Sequence, residues 1–179
     1  MVRAWRMSDT VTDQRRECYS DPPSEVSLDE LNTLGVIYIY IPETERSKAV
    51  EKVCSDRGYS FKDEITISRD RLPDYENKIK TFFDEHLHSD EEVRYVIEGS
   101  GYFDVRDHND KWIRIAVDPG DLLILPAGIY HRFTVDTKDY IHAVRLFKGV
   151  PVWTPYNRCE AVDDMDVRRE YLNTLTLSH

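Results

Sequence analysis

The sequence contains few cysteines and no long apolar run. Its three cysteines, Cys18, Cys54 and Cys159, are far apart and form no CxxC pair. An odd number at such spacing excludes a disulfide framework and is typical of a reducing compartment. No apolar stretch approaches the roughly 18 residues of a membrane-spanning helix, and the first residues lack the apolar core of a signal peptide. We therefore expect no membrane insertion and a cytoplasmic protein, which at 21.1 kDa is small enough to diffuse into a nucleus.

Basic residues are also scarce relative to acidic ones. Lysine and arginine number 24 against 34 aspartates and glutamates, which gives a formal net charge of −10. This balance excludes a nucleic-acid partner, because phosphate binding requires a basic surface. What the chain does have is 40% hydrophobic and 11% aromatic residues over 179 positions, enough for one domain with its own core.

The sequence pattern divides the chain into an arm and one domain. Residues 1–26 are mostly polar and predict an irregular N-terminal arm over the surface of a single domain formed by residues 27–179. Capping and periodicity signals predict helices from Ser27 to about Gly35, over 46–56, from Pro73 to about Phe83 and over about 163–175, with a strand at 36–41.

From residue 86 to about 148 the pattern changes to short β-strands. Runs such as VRYVI, WIRIAV and DLLIL are separated by turn signals at 99–101, 108–110 and 118–120. Short strands with regular turns are typical of a sandwich or barrel. The predicted fold class is therefore mainly β, with a barrel core at about 86–148 and flanking α-helices.

The segment HLHSDEEVRYVIEG, residues 86–99, contains the residues best suited to chemistry. A regular strand would project every second residue to one face, and one of the two alternating sets is polar: His86, His88, Asp90, Glu92 and Arg94. A turn between 88 and 92 would alter this alternation. Two imidazoles and a carboxylate indicate a first-row transition metal. His131 is available as a fourth ligand, from a strand that in a barrel can lie across the lumen.

Each part of this site has an ordinary alternative. An HxH pair on a strand is more often solvent-facing than metal-binding, and a single histidine such as His131 is most often merely half-buried. The complete spacing favours a metal site, because chance agreement at so many positions is poor: His86-x-His88-x-x-x-Glu92 and Gly99, then Gly120 and Pro126-x-Gly128-x-x-His131.

This two-part spacing resembles the signature of the cupins, which are double-sheet jelly rolls with a metal inside. Within the cupins, the segments LPDYENKIKTFFDEHLHSDEEVRYVIEGSGYFDVRD, LPAGIYHRFTVD and PVWTPYNR are similar to the acireductone dioxygenases of methionine salvage. The similarity extends over about residues 34–158. Lys80 and Val135 depart from the general cupin pattern, but neither position supplies a ligand.

The resemblance implies a metal-dependent dioxygenase with one Fe(II) or Ni(II) ion per monomer, held by His86, His88, Glu92 and His131. Its substrates would be O₂ and an acireductone, 1,2-dihydroxy-5-(methylthio)pent-1-en-3-one. Family members with Fe(II) form 4-methylthio-2-oxobutanoate and formate, and those with Ni(II) form 3-methylthiopropanoate, formate and carbon monoxide. The ligand types do not separate the two metals. We expect a monomer.

The resemblance also assigns roles to four other residues. Arg94 shares the parity of Glu92 and matches the position that binds the enediolate oxygen; the alternative is a surface arginine. Phe82 and Phe133 match positions that line the pocket, and plain core aromatics are an equal alternative. Trp153 is predicted at the pocket mouth, with ordinary packing as the alternative.

Two other functions remain open at this point. The chain could be a cupin dioxygenase that acts on another enediol, or a metal-stabilised interaction module without turnover. An intact set of four ligands speaks against the module, although ligands can also be retained for stability alone.

Overall fold

The computed structural model describes residues 3–177. Within these residues, eleven β-strands form two antiparallel sheets that share one core, and the helices lie between the early strands and after the last one. The predicted mainly β barrel with flanking helices is therefore confirmed. No helix within 3–177 combines the length and the apolar character needed to cross a lipid bilayer.

The elements follow one another in a double-sheet arrangement. The larger sheet has the spatial order β1 (Arg3–Arg6), β7 (Trp112–Val117), β6 (Gly101–Arg106), β9 (His131–Val135), β4 (His86–Leu87) and β11 (Tyr156–Asn157). The smaller sheet has the order β2 (Ile37–Tyr40), β8 (Asp121–Leu125), β5 (Glu92–Gly99), β10 (Tyr140–Phe147) and β3 (Phe61–Ser68). The helices are α1 (Leu28–Thr33), α2 (Arg46–Arg57), α3 (Tyr75–Phe82), α4 (Glu160–Asp163) and α5 (Asp166–Leu177).

The helix ends agree closely with the capping signals. The Ser27 hydroxyl accepts a hydrogen bond from the Glu30 amide (3.1 Å) and so caps α1. Gly58 ends α2 in the left-handed region at φ 79°. The third helix begins two residues later than the prediction at Pro73, because Asp74 also adopts a left-handed conformation. The helical conformation can therefore start only after Asp74.

The core has two layers, one on each face of the smaller sheet. Between the sheets, side chains such as Val96 of β5 and Phe103 of β6 pack together. On the outer face of the smaller sheet, Val93 and Tyr95 of β5 pack with Val50 of α2. Burying an aliphatic side chain of this kind contributes about 1.5–3 kcal/mol relative to exposure. The odd-numbered apolar residues of β5 therefore lie beneath α2. The even-numbered residues, which include Glu92 and Arg94, face the lumen between the two sheets.

Three predicted boundaries were wrong. The arm is not irregular throughout, because β1 pairs with β7 at the edge of the larger sheet. The barrel core begins well before residue 86, since β2 and β3 belong to the smaller sheet. In β3 the charged run Lys62–Glu64 hides the alternation, and an edge position tolerates it. The closing helix is divided into α4 and α5.

Candidate active site

The four predicted ligands lie on both sheets. The segment from His86 to Arg94 is not one strand, so the single-face argument for it was wrong: β4 ends in the larger sheet, and β5 begins at Glu92 in the smaller one. His131, the first residue of β9, is the register partner of His86 and lies beside it. His131 therefore does not lie across the lumen from His86, as a strand of a barrel could. Glu92 is the residue that comes from the facing sheet.

The structure brings these four side chains together. The ligand atoms of His86, His88 and His131 all lie within 4.8 Å of one another. Glu92 Oε2 lies 2.9 Å from His131 Nε2, and Glu92 Oε1 lies 3.8 Å from His88 Nε2. His131 is 1% exposed and His86 is 8% exposed. The cluster is thus an interior site and not a solvent-facing HxH pair.

The hydrogen bonds of the histidine rings determine which nitrogen faces the cluster. Because a carbonyl can only accept, each Nδ1 carries the proton and each Nε2 presents a lone pair. The Nδ1 acceptors are the backbone carbonyls of Asp84 for His86 (2.7 Å), Thr154 for His88 (3.1 Å) and Ile129 for His131 (3.0 Å).

A cation is needed where these lone pairs meet the Glu92 carboxylate. The buried Nε2 of His131 has no hydrogen-bond partner within the described part of the chain, yet it faces a Glu92 oxygen at 2.9 Å. Two acceptor atoms this close repel each other unless a positive charge is shared between them. Three neutral imidazoles and a carboxylate, each ring oriented by a backbone carbonyl, fit a transition-metal ion.

The surroundings favour the protonation states that bind metal. Burial, together with the neighbouring His131, lowers the pKa of His86 to about 4. Burial also lowers the pKa of His88. For Glu92, burial alone would raise the pKa, but the neighbouring Arg94 cation outweighs it and holds the pKa well below its usual value. At neutral pH both histidines are therefore neutral and the glutamate is ionised.

These shifts predict how the stability of the metal-free protein depends on pH. The pKa of His86 is about 4 in the folded protein and 6.5 for an unperturbed histidine, so between these limits the unfolded chain binds the extra proton. The free energy of unfolding should therefore decrease as the pH falls from about 6.5 to 4, and the lowered pKa values of His88 and Glu92 act in the same direction. Urea titrations across this range measure the slope.

Two variants test the origin of that slope. His86→Gln should reduce it, whereas His108→Gln, the same change at an exposed turn, should leave it as in the wild type. An equal slope in His86→Gln and the wild type would show that His86 is not a source of the pH dependence.

Arg94 is not a surface arginine. Its side chain is 17% exposed, and its Nη2 donates to Glu92 Oε1 at 2.9 Å. Nη1 donates to the Val93 carbonyl at 3.0 Å. Burial lowers the pKa of Arg94, but a guanidinium stays charged in proteins. Arg94 therefore places a permanent cation at the wall of the cavity beside the ligand cluster.

A cavity of about 430 Å³ adjoins the ligands. Phe82 and Phe133 both line it, with ring centroids 6.4 Å apart. Trp153 lies at the cavity as well, is 46% exposed, and stacks on the Arg145 guanidinium at 3.8 Å. The other apolar lining residues are Ile65, Ile67, Val96, Phe103, Ile141, Ala143 and Pro155. The cavity thus adjoins the predicted ligands and the Arg94 cation, and most of its other lining is apolar.

Several of these lining residues were not predicted from the sequence. Arg145 of β10 lines the cavity and makes two hydrogen bonds to Asp63, at 2.8 and 2.7 Å. Arg145 could have been predicted to face the cavity, because it alternates with Ile141 and Ala143 along β10. Ile65 and Ile67 were missed together with β3. No pattern pointed to Lys78, because exposed helical lysines are common.

The acidic residues just before His86, and the three cysteines, lie outside the cluster. The Glu85 carboxylate accepts hydrogen bonds from Arg106 and Arg158, and not from a histidine ring. Asp84 bonds to the His86 ring through its backbone carbonyl and not through its carboxylate. Cys18, Cys54 and Cys159 are all unpaired thiols, as the wide spacing predicts.

The fold and the cluster together define a metal-binding protein of the cupin type. Comparison with known proteins makes this more specific: the model of the ARD/ARD′ family matches residues 3–155. The chain belongs to this family.

Named relatives agree with that membership. The chain is 57% identical over 178 residues to acireductone dioxygenase of Branchiostoma floridae, covering 99% of each chain. It is 59% identical over 179 residues to acireductone dioxygenase of Ixodes scapularis, covering 98% of this chain and 97% of that one. These matches confirm the resemblance and the expectation of an enzyme.

A solved structure shares the fold. The acireductone dioxygenase from Bacillus anthracis, with a cadmium ion in its active centre, matches with a TM-score of 0.69 at 22% identity, covering 86% of this chain and 96% of that chain. This likeness confirms the jelly-roll architecture.

Proposed function

We propose that the protein is an acireductone dioxygenase, which uses O₂ to cleave 1,2-dihydroxy-5-(methylthio)pent-1-en-3-one. The observation that carries the proposal is the convergence of His86, His88, His131 and Glu92 beside a cavity whose lining is mostly apolar. Family membership over residues 3–155 supports the same substrate. The enediolate of this substrate has two adjacent oxygens, which suit the ligand cluster and Arg94, and an apolar methylthio tail, which suits the apolar lining.

The ligands are the three histidines through Nε2 and Glu92 through its carboxylate. When bound there, a metal ion acts as a Lewis acid and as a template for two oxygens of the substrate. Fe(II) and Ni(II) both suit this ligand set. One ion per chain is proposed, since one cluster of this type occurs within residues 3–177.

The protein's own groups bind and orient the substrate. Arg94 supplies a fixed positive charge and N–H donors that favour the ionised enediolate. Phe82 and Phe133 provide an apolar wall for the methylthio tail. Trp153, stacked on Arg145, covers part of the opening and so limits the access of water to the reacting atoms.

The products are proposed to depend on the metal that is loaded. The Fe(II) enzyme would give 4-methylthio-2-oxobutanoate and formate, which returns carbon to methionine. The Ni(II) enzyme would give 3-methylthiopropanoate, formate and carbon monoxide. Each outcome accounts for all atoms of one substrate and one O₂ molecule, so no further reductant is required.

Oxygen uptake tests the proposal. Protein reconstituted with Fe(II) is mixed with acireductone, and uptake is compared with uncatalysed autoxidation and with the variants His88→Ala and His108→Ala. Uptake above background that is lost in His88→Ala and kept in His108→Ala supports the dioxygenase. Wild-type protein that holds iron but gives no uptake would leave a cupin for another enediol or a non-catalytic module.

We also propose that the active unit is a single-domain monomer in the cytoplasm. Strand β1 pairs with β7 in the larger sheet, which supports a single folding unit. The three unpaired thiols suit a reducing compartment. Light scattering of the purified protein and imaging of a tagged chain test these two points.

A further inference from the structure

The N-terminal arm contacts the wall of the cavity from behind. Its bend, residues 13–18, lies against β7, β9 and α3. Helix α3 in turn supplies three residues to the cavity lining: Lys78, Thr81 and Phe82. A contact that fixes α3 therefore also fixes part of the substrate pocket, although no residue of the bend lines the cavity itself.

The bend is held to the sheet by a buried arginine. Arg114 of β7 is 0% exposed and makes two hydrogen bonds of 2.8 Å to the Asp104 carboxylate. Asp104 is shared with Arg132, whose Nε lies 2.8 Å away. The buried Arg114 and the partly buried Arg132 thus share one carboxylate. Backbone carbonyls of the bend complete the set, because Arg114 Nη1 also donates to those of Gln14 (2.8 Å) and Arg16.

A side chain of the bend caps the end of α3. The last carbonyls of a helix have no partner within it, and here the Phe83 amide donates to Lys80 and not to Ile79. The Gln14 amide Nε2 donates to the Ile79 carbonyl (3.3 Å) and to the Thr134 hydroxyl of β9 (3.1 Å). Gln14 therefore ties the C-terminal turn of α3 to the larger sheet.

The bend also holds the beginning of α3. Arg15 Nη1 donates to both oxygens of Asp139, at 3.0 and 2.8 Å. The same Asp139 accepts a hydrogen bond of 2.9 Å from the Tyr75 hydroxyl, at the first residue of α3. Consecutive residues of the arm thus reach both ends of an eight-residue helix.

We propose that the bend 13–18 positions α3 against the cavity, and that Gln14 is a positioning residue that acts through Phe82. Phe82 follows the capped carbonyl by three residues and packs on Phe133. Displacement of this helical turn would change the shape of the apolar wall while leaving the four metal ligands in place. The kinetic part of this proposal rests on the proposed function; the structural part does not.

The test compares Gln14→Leu with Arg16→Leu. Both place leucine in the same bend, but the Arg16 side chain is 70% exposed and its backbone carbonyl is kept. Hydrogen exchange of the amides at 79–84 should be about 5-fold faster in Gln14→Leu, as expected for the loss of one net hydrogen bond. Arg16→Leu should match the wild type, and the metal content should be equal in all three proteins.

The kinetic measurement separates positioning from general stability. KM for acireductone should rise about 5-fold in Gln14→Leu while kcat changes less, because the wall binds the substrate and does not contact the reacting oxygens. In a Phe82→Ala background the same change should have little further effect on KM, since residues that act through one another are not additive.

Three results would overturn the proposal. The first is unchanged exchange at 79–84 in Gln14→Leu, which would show that the arm does not hold α3. The second is faster exchange with an unchanged KM. The third is loss of metal, which would show that the substitution disturbs β9, the strand that carries His131. If the wild type itself does not turn over acireductone, the proposed function fails, and the exchange data alone decide whether the arm holds the helix.

Discussion

Glu92→Gln is expected to lower the affinity for the metal ion by about 100-fold or more and to abolish oxygen uptake at limiting metal. The substitution keeps the size of the side chain and removes its charge. Partners that merely orient a metal ligand are worth about 10–100-fold in affinity, so a ligand should be worth at least as much. The loss also leaves the Arg94 cation buried without its carboxylate. Metal titration followed by elemental analysis measures the effect.

Glu98→Gln is the matched control for this prediction. Glu98 lies on the same strand, but it is exposed and accepts a hydrogen bond from the Tyr140 hydroxyl (2.7 Å). The control should bind metal as the wild type does. Equal metal affinity in Glu92→Gln and Glu98→Gln would remove Glu92 from the ligand set.

Arg94→Met should lower kcat/KM for acireductone by about 10²–10³-fold while the protein retains its metal. This is the range measured when one donor that stabilises developing negative charge is removed. Methionine keeps much of the apolar volume, so the cavity should not collapse. Arg94→Lys keeps the charge but lacks the forked donors, and it should fall between methionine and the wild type. Steady-state kinetics at saturating Fe(II) measure all three.

Arg169→Met provides the control, because Arg169 is a 63% exposed arginine on α5. It should show wild-type kinetics. A methionine variant at position 94 with unchanged kcat/KM would eliminate the enediolate-binding role. If Arg94→Met loses its metal, Arg94 instead serves to hold the Glu92 carboxylate in place as a ligand.

The sequence was a good guide to what the site contains. The residue types at 86, 88, 92 and 131 could be identified because the spacing of a metal motif is local information. The structure brings these four side chains close together. The same motif was a poor guide to geometry. The alternation of polar residues predicts that His86, His88 and Glu92 share one face of one strand. The chain instead leaves β4 before His88 and enters the other sheet at Glu92.

What the sequence could not reveal depends on contacts between distant segments. Gln14 is an ordinary polar residue in the sequence, and only the tertiary structure places it against α3. Arg145 and Lys78 reach the cavity because of strand register and helix position, neither of which follows from composition. The charged start of β3 concealed a strand that lies at a sheet edge, where propensity is a weak guide.

The hydrogen bond from His88 to the Thr154 carbonyl determines how late the metal site can be completed while the chain is being synthesised. The two residues are separated by 66 positions, and the neighbouring β11 pairs with β4 through Tyr156 and Asn157. On a ribosome that adds about 5–20 residues per second, His86, His88 and Glu92 emerge several seconds before the segment that fixes the orientation of the His88 ring. The metal site is therefore among the last parts of the protein to be completed during synthesis.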